Sequence, residues 1–259
     1  MEREAPITMI DNHIHIGQYE EIYYDPIEIL NIVKDNGIIE AAYSSITSGK
    51  KNVKYHEVYS EINSAISLFS DEYYKPYLWF VPSYIDEGIT VEKAMTDLPY
   101  KGFKIHPYIN NWDLSVKIYL FCLHELFEFA QDKKLPILIH TGSNNVDAPN
   151  RFELFFNKYP KTNIILAHCR PIEETITILN KYPNIYGDTS FVCEEWIKLL
   201  IENRLGNRII PGSDFPITHY WNTHFNNSNE KKITLIEQYQ LDITTMKHFE
   251  VLLKNQNTL

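Results

Sequence analysis

Cysteine is scarce. The 259 residues contain three, Cys122, Cys169 and Cys193, with no Cys-x-x-Cys pair. An odd, unpatterned count excludes a disulfide framework and suits a reducing compartment. Positive charge is short as well: 24 Lys and Arg stand against 34 Asp and Glu, a net charge of −10. That balance argues against the basic face a nucleic-acid partner requires. No apolar run approaches the roughly 18 residues of a membrane span. The opening Met-Glu-Arg-Glu-Ala-Pro lacks the apolar core of a signal peptide. The chain therefore reads as soluble and cytoplasmic, with a small-molecule substrate and neither nucleic acid nor membrane as partner. A homo-oligomer stays open. Internal repeats, low-complexity tracts and linkers are missing too.

Apolar residues make up 44% of the chain, enough for a full core. Eight short segments have strand character: 7–16, 41–46, 77–81, 102–106, 137–140, 164–168, 185–188 and 208–213. Several are continuous apolar runs, as expected of strands covered on both faces. Helical patterns fill the gaps. Asp25 before Pro26 reads as an N-cap with proline at the first helical position, and Gly37 closes that helix. Further helices are predicted over 53–69, 90–95, 115–131, 151–157, 172–181 and 194–202, with two closing helices at 232–238 and 243–254. Strand and helix alternating eight times predict an α/β chain, a single-domain (β/α)₈ TIM barrel over 1–259. The longest irregular stretches, 143–149 and 217–229, follow strand ends. They are expected at the barrel mouth as substrate loops.

Histidine and aspartate recur where these strands stop. The strings are Asp11-Asn-His13-Ile-His15, Phe103-Lys104-Ile-His106-Pro, Ile139-His140-Thr-Gly142, Ala167-His168-Cys169 and Gly212-Ser-Asp214-Phe-Pro216. A barrel gathers the C-terminal ends of its strands around one mouth. Several imidazoles and one carboxylate meeting there suit zinc or a similar divalent metal. His13 and His15, at i and i+2, share one face of their strand. Asp11 has the same parity and is expected to orient a histidine from behind. A lone strand-end histidine is ordinarily a core residue with a backbone partner, and Asp before a proline turn is ordinarily a turn former. Their repetition at strand after strand is what sets those plain readings aside.

Lys104 has three readings: a salt-bridged barrel lysine, a group that holds substrate, or a carbamylated bridge between two metals. His106 is a substrate contact or simply a strand-end residue. Arg170 is a bidentate partner for a substrate carboxylate or an ordinary ion pair. Asp188 and Ser190 lie at or just past a strand end. His56, His124 and His248 fall in helices and read as surface or packing residues.

Taken together, the motifs resemble the amidohydrolase superfamily. The strings Gly102-Phe-Lys-Ile-His-Pro107, Ile139-His-Thr-Gly142, Asn184-Ile-Tyr-Gly-Asp-Thr-Ser190 and Gly212-Ser-Asp-Phe-Pro216 resemble its amidohydrolase-related branch, which includes decarboxylases of the aminocarboxymuconate-semialdehyde type. The resemblance implies a metal-dependent hydrolase with one divalent ion, zinc or else manganese, on His13, His15, His140 and Asp214. It implies His168 as catalytic histidine, or as ligand of a second metal if two ions bind, and Asp214 as acceptor of the water proton. Lys104, His106 and Arg170 would hold a small polar or anionic substrate, an amide, ester or lactone. Non-oxidative decarboxylation of an unsaturated acid is the alternative. TatD-like nucleases share the barrel but carry Glu where this chain has Lys104. A barrel that binds without catalysis is a further alternative, and the complete ligand set speaks against it.

Overall fold

The computed structural model describes residues 9–69, 72–224 and 233–254. Nine strands form one sheet: β1 (Met9–Tyr19), β2 (Ile22–Tyr24), β3 (Ile38–Ser45), β4 (Tyr74–Trp79), β5 (Gly102–Ile105), β6 (Ile137–His140), β7 (Ile164–Ala167), β8 (Ile185–Asp188) and β9 (Ile209–Ile210). All run parallel except β2, which pairs antiparallel with the end of β1. Helices α1 (Pro26–Asp35), α2 (Tyr55–Leu68), α3 (Pro82–Asp86), α4 (Val91–Asp97), α5 (Lys117–Lys133), α6 (Glu153–Lys158), α7 (Ile172–Lys181) and α8 (Glu194–Glu202) connect successive parallel strands. Helices α9 (Ile217–His224) and α10 (Leu235–Lys254) follow β9.

The sheet closes on itself. Past the two-residue β9, residues 211–215 lie against β1 in a parallel bridge between Ile14 and Phe215. Three backbone hydrogen bonds hold that seam: Asn12 N–H to Pro211 O at 3.0 Å, Asp214 N–H to His13 O at 2.8 Å and His15 N–H to Phe215 O at 2.7 Å. The result is a (β/α)₈ TIM barrel with one extra hairpin strand. Inside it, Ala42, Tyr77, Leu138, Ile165 and Ala167 form a small core, separate from the large one between strands and helices. Gly102 is required here. A Cβ on it would meet the Tyr77 ring at 2.7 Å, so only glycine lets that ring cross the barrel.

Local expectations mostly correspond. Asp25 accepts N–H bonds from Ile27 and Glu28 ahead of α1, which has Pro26 in its first turn. Helices α7 and α8 have the bounds their amphipathic stripes predict. Two differences are instructive. The two expected closing helices are one, α10, because nothing between Gln238 and Ile243 breaks a helix. Residues 217–224, expected as loop, form α9; the remainder of that predicted loop, and residue 232 of the first closing helix, lie outside the described residues, as do residues 7 and 8 of the first strand. Among the described residues no helix is long and apolar enough to cross a membrane.

Asp242 on α10 accepts Thr218 Oγ1–H at 2.7 Å and Gln238 Nε2–H at 2.8 Å. Burial pushes its carboxyl up to about 7, with the nearby charges of Asp11 and Asp214 adding to the rise. The unfolded chain releases this proton near 3.8. Between those pH values the folded state holds the proton more tightly, so stability is lost as pH climbs towards 7. Asp242→Asn is expected to flatten that decline. Urea midpoints at pH 5 and pH 8 check it, and an unchanged pH dependence would refute it.

Candidate metal centre

Strand alternation delivers the site's side chains. Residues 42 and 44, 77 and 79, 104 and 106, and 138 and 140 continue one barrel-facing row on each strand, so the apolar inner core is capped by Ser44, Trp79, Lys104, His106 and His140. His168 breaks its row. It follows inward-facing Ala167 directly and has φ +69°, as Asp214 has φ +62°. A left-handed backbone at a non-glycine residue is uncommon and clusters at functional sites. Gly212 allows the close approach beneath them, since a Cβ there would lie 3.0 Å from the His13 Cβ.

His13 Nε2, His15 Nε2 and Asp214 Oδ1 converge. Asp214 Oδ1 is 3.1 Å from His13 Nε2 and 2.9 Å from His15 Nε2, and the two nitrogens are 3.2 Å apart. Tetrahedral zinc with ligand distances near 2.0–2.1 Å sets its ligands about 3.3 Å apart, so these atoms are spaced as a metal would have them. The far side of each ring is anchored. His13 Nδ1 lies 2.8 Å from Asp188 Oδ2, and His15 Nδ1 lies 3.0 Å from Ser44 Oγ. An Nδ1–H spent on these acceptors leaves each Nε2 lone pair facing the centre. Burial lowers His15 to about 4. Burial alone would raise Asp214, but His13, His15 and His168 hold it well below the usual carboxylate range. A neutral imidazole beside an ionised carboxylate is what a cation needs.

His140, the fourth predicted ligand, stands outside this group. Its Nδ1 pairs with His168 Nε2 at 3.0 Å, and its ring stacks on His106 at 3.6 Å. Asp147 Oδ2 lies 3.9 Å from its Nε2. His168 is held from behind as well: Ser190 Oγ is 2.8 Å from its Nδ1, and Asp188 Oδ1 accepts its backbone N–H at 2.8 Å. Burial lowers His168 to about 3 and takes His106 and His140 well below their ordinary value. His13, His168 and Asp188 form a second set of donor atoms within 4.8 Å of one another. That set contains the His13–Asp188 hydrogen bond already made, so the first is the better cation site.

Lys104 is buried at 1% exposure. Its ammonium meets no carboxylate among the described residues. It lies 2.9 Å from His13 Nε2 instead and 5.7 Å from the Trp79 ring. Burial lowers it to about 8. Arg170 lies 5.9 Å from the Phe191 ring, and its buried Nε has no hydrogen-bond partner among the described residues.

These groups line a cavity of about 360 Å³. His15, Lys104, His106, His140, His168, Arg170 and Asp214 all reach it, and Tyr108, Phe191 and Trp221 form its exposed aromatic rim. Stretch 143–149 contributes nothing to the wall; α9 contributes Ile217 and Trp221. Asp11 orients no ring, contrary to expectation. It accepts the backbone N–H of His13 at 3.1 Å, and Asp188 and Ser44 do the orienting. The sequence offered a signal for Asp188, a carboxylate at a strand end, and for Trp221, in a stretch expected at the mouth, but none for Ser44, Trp79, Tyr108 or Phe191.

A family model described as Amidohydrolase matches residues 45–237. It starts beyond His13 and His15, so those two rest on geometry. No curated protein matches the chain. Among solved structures, an uncharacterised TIM-barrel protein from Bordetella bronchiseptica has TM-score 0.57 at 13% identity, covering 98% of this chain and 100% of its own. A probable 2-pyrone-4,6-dicarboxylic acid hydrolase from Acinetobacter baumannii, with citric acid bound, has TM-score 0.57 at 11% identity, covering 94% and 95%. Dihydroorotase from Campylobacter jejuni has TM-score 0.51 at 15% identity, covering 94% and 83%. At such identities the likeness speaks for the fold alone.

Proposed function

The chain belongs to the amidohydrolase family, and from that premise we propose that it is a metal-dependent hydrolase of a small anionic amide, ester or lactone. The observation that carries the reading is the meeting of His13 Nε2, His15 Nε2 and Asp214 Oδ1 within 2.9–3.2 Å at the cavity floor. These three would hold a divalent ion, zinc or manganese, which would supply Lewis acidity and lower the pKa of a water to about 7.

The chain's own residues do the rest. Asp214, with its Oδ1 at the centre, is placed to take a proton from the attacking water. His168, kept neutral by burial, lines the cavity with its Nε2 paired to His140, while Ser190 and Asp188 fix its ring and backbone. It steers that water or hydrogen-bonds the oxyanion that develops. Arg170, which pairs with no carboxylate among the described residues, offers its guanidinium to a substrate anion. Lys104 and His106 contribute donors from the floor. The aromatic rim excludes bulk water and strengthens each of these interactions.

Decarboxylation of an unsaturated acid uses the same groups. The largely apolar wall of Tyr19, Trp79, Phe191, Ile217 and Trp221 favours it, because such a wall strips water from a carboxylate. Released CO₂ against a hydrolysed bond separates the two. The main test is metal dependence. Protein purified without chelator is expected to hold about one divalent ion per chain, to lose turnover of a lactone, ester and amide panel on chelation, and to regain it with Zn²⁺ or Mn²⁺. Turnover that survives complete metal removal would sink the reading.

A further inference from the structure

The barrel seam is where the metal-site residues from the two ends of the chain must be brought together, and it is the least regular part of the sheet. β9 has two residues, and beyond it residues 211–215 are not a strand. One buried carboxylate ties the seam. Asp11 Oδ1 accepts the backbone N–H of His13 at 3.1 Å and of Ser213 at 3.0 Å. Asp11 Oδ2 accepts Ser213 Oγ–H at 2.6 Å and Tyr239 O–H at 2.9 Å. Ser213 Oγ in turn accepts the Phe215 N–H at 3.1 Å. Asp11 therefore holds His13 itself and the residues on both sides of Asp214. Neither Asp11 nor Tyr239 lines the cavity, so neither touches substrate.

Tyr239 is the one part of this knot that comes from elsewhere, the first turns of α10. It is fully buried, with its ring against Phe215 at 4.6 Å. Phenylalanine would fill that space equally well. Among the described residues the hydroxyl adds only the bond to Asp11, and without it Oδ2 keeps Ser213 Oγ as its one partner there. The carboxylate then keeps its three bonds to His13 and Ser213 but loses the one that fixes it to α10, so the seam is held less firmly. The same helix face carries Gln238 and Asp242, which bond Asn222 and Thr218 of α9 at 2.7 Å each.

We propose that Tyr239 is a positioning residue for the metal centre, acting through Asp11 and Ser213 to hold His13 and Asp214 at ligand spacing. This rests on the metal-binding reading above. The test is titration of apo-protein with Zn²⁺ against a competing chelator, with the absorption of the Co²⁺ form as second readout. Tyr239→Phe is expected to weaken Zn²⁺ binding up to about 10-fold, the low end of the range for partners that touch a ligand directly because Tyr239 acts through Asp11, and to shift the Co²⁺ bands. Ser213→Ala, which removes the other Oδ2 donor, is expected to act in the same direction. Thr218→Ala, which cuts an α9–α10 bond away from Asp11, is expected to stay within about twofold of the wild type. A merely structural tyrosine would lower the melting temperature of the apo-protein and leave Zn²⁺ affinity unmoved. Wild-type affinity in both Tyr239→Phe and Ser213→Ala, or an equal loss in Thr218→Ala, overturns the proposal. Failure of the wild-type chain to take any metal overturns the hydrolase reading instead, and this inference with it.

Discussion

His15→Ala is expected to abolish tight metal binding and to lower turnover about 10³-fold or more, roughly 4 kcal/mol at 1.36 kcal/mol per tenfold. His15 is the cleaner of the two β1 histidines to remove. His13 also meets Asp188 and Lys104, and its loss would take the imidazole from the Oδ2 of a buried carboxylate. Among the described residues His15 Nδ1 meets only Ser44, which keeps its own hydroxyl and carbonyl when the ring goes. The fold should therefore survive, and circular dichroism with a melting curve verifies it. Asp214→Asn is expected to lose metal too, because it keeps the shape at the seam and removes the one charge in the ligand set. Elemental analysis of both variants decides the matter. Unchanged metal content in either would mean that the ion, if there is one, sits elsewhere.

His168→Asn is expected to lower turnover by about 10²–10⁴-fold, the range of a lost general acid–base group, while metal stays near one ion per chain. The geometry separates the two readouts. His168 Nε2 points to His140, not to the His13, His15 and Asp214 atoms, and its Nδ1 is engaged by Ser190. Asparagine keeps a side-chain polar group near Ser190 but presents no imidazole lone pair to the cavity. Loss of the ion together with activity would move the metal to the His13, His168 and Asp188 set. Full activity with metal retained would remove His168 from the chemistry altogether.

Much of the barrel could be read from the chain alone because its signals are local. Helices α7 and α8 are bounded by where an apolar stripe of period 3.6 starts and stops. The parallel strands announce themselves as short runs such as Ile137-Leu-Ile and Ile164-Ile-Leu, apolar on both faces because helices cover one and the barrel core the other. The His-x-His spacing placed both rings on one face by the period of a strand, whatever surrounds it. What the sequence could not decide was contact between distant residues. Asp188 meets His13 across 175 positions and Tyr239 meets Asp11 across 228. Such pairs exist only because the sheet curls until residues 211–215 reach β1, a closure with no short-range signature. The same closure turned Asp11 from an expected ring partner into the tie of the seam. It also put Lys104 against a histidine rather than an acid, and drew His140 towards His106 and His168. Periodicity determined which side chains face inward. Only tertiary closure determined which of them touch, because the distance between two inward-facing groups depends on strand tilt and on left-handed turns such as those at His168 and Asp214.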